Sequence, residues 1–259
     1  MQTTIYLGVA ALVVLFLGMV LFLEVGRRLR IRSRMKDDEG SAAGLGVVEA
    51  ALFGLMALVL AFSFSGAASR FDDRRNLIVE EANDIGTAYL RIDVLPSAAQ
   101  PQLREMFRRY VDTRIETYRV LPDYDLAMSL IAKSGEMQRE IWNYAVAVTN
   151  DQANPQAALV LLPALNAMFD IANTRYWVTL FHPPLMIYAL LAILALVCAL
   201  LAGYGMAVVK TRSWIHTVGF ALLLTVTIYV IVDMEYPRMG LIQVVAIDRA
   251  LVDARAAMQ

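Results

Sequence analysis

The stretch from Gly44 to Leu95 most constrains what this chain can fold into. A membrane-spanning pattern passes there into a charged helical pattern, with no proline between them. The first half, GLGVVEAALFGLMALVLAFSFSGAAS, carries one charged residue, Glu49. About 20 apolar residues with a rise of about 1.5 Å each cross a hydrocarbon core of about 30 Å. The sequence therefore predicts one long helix that begins inside a bilayer and continues beyond it.

Heptad spacing marks the second half of that stretch, RFDDRRNLIVEEANDIGTAYLRIDVL. Apolar residues recur there every seven positions, at Phe71, Ile78, Ile85 and Ile92. Such spacing is typical of a helix that packs against other helices. We expect this half of the helix to leave the membrane and to join a helical domain.

Composition places the chain among integral membrane proteins. Hydrophobic residues make up 59% of it and charged residues 18%, against about 25% charged residues in a typical soluble domain. Three more apolar runs are long enough to cross a bilayer, from Thr4 to Leu23, from Pro184 to Val209 and from Ile215 to Val232. We therefore predict an all-α integral membrane protein with four transmembrane helices.

The segment between the second and third spans predicts a helical-bundle extramembrane domain. Capping residues and prolines divide it into three helices: one with Ser97 as its cap, Pro101 in its first turn and Pro122 at its end, one from about Asp125 to Val148, and one that begins at Asn154 and Pro155, kinks at Pro163 and runs toward Phe181. The predicted boundaries are residues 1–66 for spans one and two with their basic loop, 67–181 for the domain, 182–234 for spans three and four, and 235–259 for the tail.

The tail from Leu241 to Met258 is amphipathic. An apolar face is predicted from the spacing of Val244, Ile247, Leu251 and Ala254. Two positions suit such a helix, one lying at the membrane interface and one packed on the helical domain.

Orientation follows from the Lys and Arg residues of the short loops. The loop from Glu24 to Ala43 carries Arg27, Arg28, Arg30, Arg32, Arg34 and Lys36, and the loop between spans three and four carries Lys210 and Arg212. Both loops should be cytoplasmic, which places the middle domain outside the cytoplasmic (inner) membrane of a bacterium. The opposite orientation is favoured by a second set of arginines, Arg70, Arg74, Arg75, Arg238, Arg249 and Arg255.

Three motifs, taken in order, resemble the bacterial bestrophin-like family. They are RFDDRRNLIVEEANDIGTAYLR after the second span, LPALNAMFDIANTR before HPP at the third, and DMEYPRMGLI at the end of the fourth. The resemblance implies kinship with bestrophins, which are pentameric anion channels with four transmembrane segments, a pore lined by the second span and a large helical domain. The chain departs from bestrophins in lacking an acidic calcium-clasp run, and its loop charges favour a domain outside the cytoplasm.

The candidate pore residues belong to the second span, because that span lines the pore in bestrophins. Met56, Leu60 and Phe64 lie four residues apart and are similar to a bestrophin neck, where apolar rings gate by dewetting. Lipid contact or packing within the bundle explains the same spacing. Ser63 and Ser65, with Gly54 and Gly66, equally suit close helix packing. Glu49 is a candidate for the pore, for a proton relay, or for pairing with the basic loop.

An ion-pair lock is a second candidate site. Arg70 or Arg74 would meet Asp170 of the last domain helix, or Asp233 and Glu235 at the end of the fourth span, with Arg238 close by in sequence. A solvated face held by pairs three and four residues apart explains the same charges. Such a lock would serve assembly or gating.

Other functional classes find little support in the sequence. His182 and His216 are isolated, no glycine-rich phosphate loop or serine elbow is present, and Cys198 has no second cysteine. We expect no enzyme activity, no cofactor, no metal site and no nucleic-acid binding. The resemblance to the bestrophin-like family implies a homo-oligomeric ion channel in a lipid bilayer, with a non-conducting assembly or sensor protein as the alternative.

Overall fold

The computed structural model describes residues 2–33, 41–121, 123–150, 155–207 and 214–258. The elements within these ranges are helical. They are α1 (Gln2–Ser33), α2 (Ser41–Leu90), a 3-10 helix (Arg91–Val94), α3 (Gln100–Arg119), α4 (Tyr124–Thr149), α5 (Pro155–Thr179), α6 (Leu185–Met206), α7 (Trp214–Glu235) and α8 (Arg249–Ala256). The predicted roles of Arg34, Lys36, Pro122, Asn154, Lys210 and Arg212 fall outside the described residues.

The long helix expected from the sequence is present as α2. It continues without a break through 50 residues, from the apolar run into the heptad-spaced half. No proline interrupts it, so backbone N–H groups beyond its first turn have an acceptor one turn earlier.

The chain divides into two compact units, which are described separately. The membrane unit comprises Met1–Ser69 and Pro183–Tyr236, and the bundle unit comprises Arg70–His182 and Pro237–Gln259. The tail therefore packs with the helical domain. Arg255 of α8 makes two hydrogen bonds to the carboxylate of Asp112 in α3, at 2.8 and 3.1 Å, and Leu251 is buried in the bundle core.

The membrane unit is centred on the parallel pair α1 and α6. Two glycines let the backbones meet: a Cβ added at Gly26 would lie 1.9 Å from the carbonyl oxygen of Leu200, and one at Gly203 would lie 2.0 Å from that of Leu23. Small residues at such crossings are typical of helices that associate in membranes. Met19, Cys198 and Ala221 fill the surrounding apolar core.

The bundle unit buries the heptad row of α2. Ile78, Ile85 and Ile92 are fully or almost fully buried. Ile85 and Ile92 belong to the core of the bundle unit, together with Phe107 of α3 and Leu165 of α5. Burial of that row confirms that the heptad spacing marks a packed helix.

Five helices in the described part of the chain are long and apolar enough to cross a membrane, namely α1, α2, α5, α6 and α7. Four were expected. The additional helix, α5, is the least apolar of the five and contributes Leu161, Leu165 and Met168 to the core of the bundle unit. The count of four spans stays a prediction.

Two local expectations are wrong. The helix expected to begin at the Ser97 cap begins at Gln100, because the N–H of Ala99 donates to the carbonyl of Pro96 in a turn that comes first. The tail is not one helix from Leu241, since bonds spanning three residues form successive turns as far as α8. Pro101 does lie in the first turn of α3, as predicted.

Candidate functional site

The predicted pore residues of α2 lie in different environments. Met56 is 3% exposed and lies in the apolar core of the membrane unit, and Leu60 is partly buried against that core. Glu49 is half-buried, whereas Phe64 is 45% exposed. In the single chain, Met56 is therefore packed inside the membrane unit, whereas the Phe64 side chain is exposed.

The opposite face of α2 is exposed and made of small residues. Its members are Ala50, Gly54, Ala57, Ala61 and Ser65, all exposed in the single chain. They recur every three or four positions and therefore lie on one helical face. A Cβ added at Gly54 would meet nothing within 4 Å. This face is smooth enough for close approach by another helix.

A buried cluster of charges lies in the bundle unit and was not foreseen from the sequence. The Glu81 side chain is fully buried and accepts a hydrogen bond from Arg114 at 2.6 Å, with a second guanidinium, that of Arg175, on its other oxygen. Arg238 binds both oxygens of Asp248 at 2.7 and 2.8 Å. We call the cluster the arginine network; its members are Glu81, Arg114, Tyr118, Arg175, Arg238 and Asp248.

Tyr118 is the centre of the arginine network. Its ring centroid lies 5.3, 4.0 and 4.8 Å from the guanidinium carbons of Arg114, Arg175 and Arg238. The Tyr118 hydroxyl accepts a hydrogen bond from Arg114 at 2.9 Å. An aromatic face attracts cations, so the ring allows three like charges to gather around it.

The network joins segments that are far apart in sequence. Glu81 comes from α2, Arg114 from α3 and Arg175 from α5, while Arg238 and Asp248 come from the tail. Arg175 Nη2 lies 3.9 Å from Asp248 Oδ1. This contact connects the pairs around Glu81 with the pair of Arg238 and Asp248. The network therefore fastens the tail to the rest of the bundle unit.

Electrostatics keep Glu81 and Arg114 ionised. Burial would raise the pKa of Glu81, but Arg114 and Arg175 together hold that pKa below its ordinary value. Burial likewise opposes the charge on Arg114, and the Glu81 carboxylate nevertheless raises the pKa of Arg114 well above its usual range. Three guanidinium groups face two carboxylates, so the cluster retains an excess positive charge.

A signal for the network was present in the helical spacing. Glu81 is three residues after Ile78 and four before Ile85, so it lies on the buried face of α2. Arg175 follows Ile171 by four residues on the buried face of α5. A charge on an apolar stripe needs a buried partner, and that requirement was the available clue.

The predicted lock residues have diverse surroundings. Arg74 is buried, and its Nη2 donates to the carbonyl of Phe181 at 2.9 Å. Asp170 is exposed on α5. Arg238 belongs to the arginine network through Asp248.

Of the remaining lock residues, Asp233 and Glu235 belong to the membrane unit, and Arg70 is the first residue of the bundle unit. Asp233 and Glu235 are buried at the end of α7, and Arg70 is half-buried. The pairing of Arg70 or Arg74 with these acids stays a prediction. No group of three His, Cys, Asp or Glu side chains in the described ranges is arranged to hold a metal ion.

Helices of this length and apolarity define a helical membrane protein with several candidate spans. The sequence model of the Bestrophin-like domain matches residues 13–247. The chain therefore belongs to the bestrophin-like family, as its motifs had indicated. No curated protein and no solved structure shows a significant match to it.

Proposed function

We propose that this protein assembles into a homo-oligomeric ion channel with a pore lined by the membrane half of α2. Kinship of the family with bestrophins supports an anion channel of five subunits. The observation that carries the proposal is the exposed small-residue face of α2, from Ala50 to Ser65. In the single chain, no described side chain covers that face.

Physical reasoning favours several copies over one. The spans of a single chain contain few polar residues, so they cannot enclose an aqueous path by themselves. Copies of α2 around an axis can do so, with their small faces in contact or turned toward the path. Of the predicted pore set, Phe64 is the most exposed, and Glu49 lies near the end of the span next to the basic loop.

Purified protein in planar bilayers tests conduction. We expect unitary currents from an oligomeric preparation, and a reversal potential in a salt gradient that reports anion or cation preference. Glu49→Gln should shift the reversal potential toward anions, because an acidic ring favours cations. The matched control is Glu80→Gln, an exposed carboxylate in the bundle half of α2. A monomeric protein, or an intact oligomer without currents, would remove the channel proposal.

A non-conducting assembly or sensor protein is the second candidate. The arginine network favours it, since the network fastens together the second half of α2, the helices α3 and α5, and the tail. Such an arrangement suits a domain that transmits a signal or holds an assembly. Intact oligomers that pass no current across varied salts and pH would favour this candidate.

The proposed location is the cytoplasmic (inner) membrane of a bacterium, with residues 24–43 in the cytoplasm and the bundle unit outside. Cys198 is fully buried, so Cys198→Ser gives a background for single cysteines. In that background a membrane-impermeant maleimide should label Lys133→Cys, which replaces an exposed residue of α4, in intact cells. Arg32→Cys, at the end of α1, should react only after lysis. The reverse pattern would invert the proposed orientation.

A further inference from the structure

One arginine at the end of the α1–α6 pair has an unusual environment. The guanidinium carbon of Arg30 lies 4.8 Å from the ring centroid of Tyr204 in α6. Its Nε is buried, and no acceptor for it exists among the described residues. A buried N–H without an acceptor is destabilising, so an acceptor beyond the described residues is expected here.

Arg27 lies one turn before Arg30, on the adjacent part of the same helix face. No ion pair among the described residues involves either of them. Arg28 differs, because it already binds Glu24 at 2.8 Å and its side chain is 70% exposed. Within the described residues, Arg27 and Arg30 therefore have no carboxylate partner, whereas Arg28 has one.

The depth of this pair matches a lipid headgroup. The apolar run of α1 ends at Leu23, so Arg27 and Arg30 lie about 6 and 10 Å further along the helix axis. Headgroups occupy roughly 5–8 Å on each side of the hydrocarbon core. Helical side chains lean toward the N-terminus, which for α1 is toward the membrane. Both guanidinium groups can therefore reach the phosphate layer.

We propose that Arg30, held in place by Tyr204, and Arg27 bind the phosphate of an anionic phospholipid at the end of the α1–α6 pair. A guanidinium presents paired N–H groups that match phosphate oxygens, and a basic recess between membrane helices is suited to such headgroups. The Tyr204 ring lies beside the Arg30 guanidinium, and the close approach of Gly26 to Leu200 brings the two helices together just before it. The site depends on no channel activity.

The full-length protein in detergent is titrated with phosphatidylglycerol or with phosphatidylcholine, and its thermal midpoint is measured. A ligand that binds only the folded state raises that midpoint. We expect phosphatidylglycerol to raise it by several degrees and phosphatidylcholine to have little effect. Arg30→Gln should weaken the apparent affinity for phosphatidylglycerol at least tenfold, while Arg28→Gln should keep the affinity of the native chain.

Two further measurements distinguish a lipid site from a site for any anion and from a general effect of lipid. Arg30→Lys keeps the charge and loses the planar fork, so it should show an intermediate affinity, and it serves if the glutamine variant does not fold. Inorganic phosphate is added without lipid, and an equal stabilisation by it would overturn a lipid site. Equal shifts of the thermal midpoint with both lipids would also overturn the proposal. Such a result is expected if the acidic residues at 37–39 occupy the site. An unchanged affinity for phosphatidylglycerol in Arg30→Gln would overturn it too.

Discussion

Gly203→Ala is expected to disrupt the packing of α1 against α6. The new methyl carbon would lie 2.0 Å from the Leu23 carbonyl oxygen, and the next two atoms it meets, at 2.6 and 2.7 Å, also belong to the backbone. No side-chain rotation relieves such a clash, so the helices must separate. Overpacking of this kind costs about 1–3 kcal/mol and occasionally more, and contacts with backbone atoms place this change at the upper end.

Gly205→Ala is the matched control on the same helix. A Cβ at that position meets nothing within 4 Å, and alanine is favoured over glycine inside a helix by about 1 kcal/mol. Unfolding of the purified protein in mixed detergent should therefore require less denaturant for Gly203→Ala than for the native chain, and the same or more for Gly205→Ala. Equal stability of the two variants would mean that the close crossing is absent in the membrane.

The same comparison is available on α1. A Cβ added at Gly26 would lie 1.9 Å from the Leu200 carbonyl oxygen, whereas one added at Gly8 would meet nothing within 4 Å. Each crossing glycine lies against the backbone of the other helix, and the two contacts are reciprocal. The effects of Gly26→Ala and Gly203→Ala should therefore not add in the double variant, because a pair of helices already forced apart accommodates the second methyl group.

The sequence predicted those features that depend on neighbours along the chain. The 50-residue α2 follows from an apolar run and a heptad row that meet without a proline. The buried residues Ile78, Ile85 and Ile92 follow from spacing alone. The family also followed from local motifs, since each motif is a short run of residues.

Features that depend on which helices meet could not be predicted in the same way. Gly26 and Gly203 resemble any other glycine in an apolar run until α1 and α6 are seen to cross. Met56 was assigned to a candidate gate by its spacing, yet the same spacing puts it in the core of the membrane unit. The tail was predicted as one helix because an apolar period does not reveal the turns that precede α8.

Glu81→Ala is expected to give the largest loss of stability in the bundle unit. The carboxylate is completely buried and is shared by Arg114 and Arg175, whose side chains are each 4% exposed. Its removal leaves two buried guanidinium groups without their acceptor, and breaking a buried pair in this way costs about 3–5 kcal/mol. Glu80→Ala is the control, since that neighbouring carboxylate is exposed and surface substitutions usually stay within about 0.5 kcal/mol.

Limited proteolysis of the full-length protein, followed by fragment mapping, measures this loss in the bundle unit. Cleavage within α3 to α5 should be faster in Glu81→Ala than in Glu80→Ala. The tail should also become accessible, because Arg175 orders Asp248 and through it Arg238. Equal protection of the two variants would show that the arginine network contributes no stability. Gly203→Ala should leave the same bonds protected, since its clash lies in the membrane unit.

Acid provides an independent test of the same carboxylate. The pKa of Glu81 is lowered in the folded protein from an ordinary value of 4.5, so the unfolded chain binds the proton more readily. The stabilisation is therefore complete well above pH 4.5 and is lost as the pH falls through the folded-state pKa, below that value. Protection of the bundle unit from proteolysis should therefore decrease in the native chain as the pH falls over that range.

In Glu81→Gln, the part of this decrease that is due to Glu81 should be missing. Glutamine does not titrate, and the stabilisation by the carboxylate is already absent at neutral pH. An unchanged acid profile in Glu81→Gln would show that a different group governs the transition.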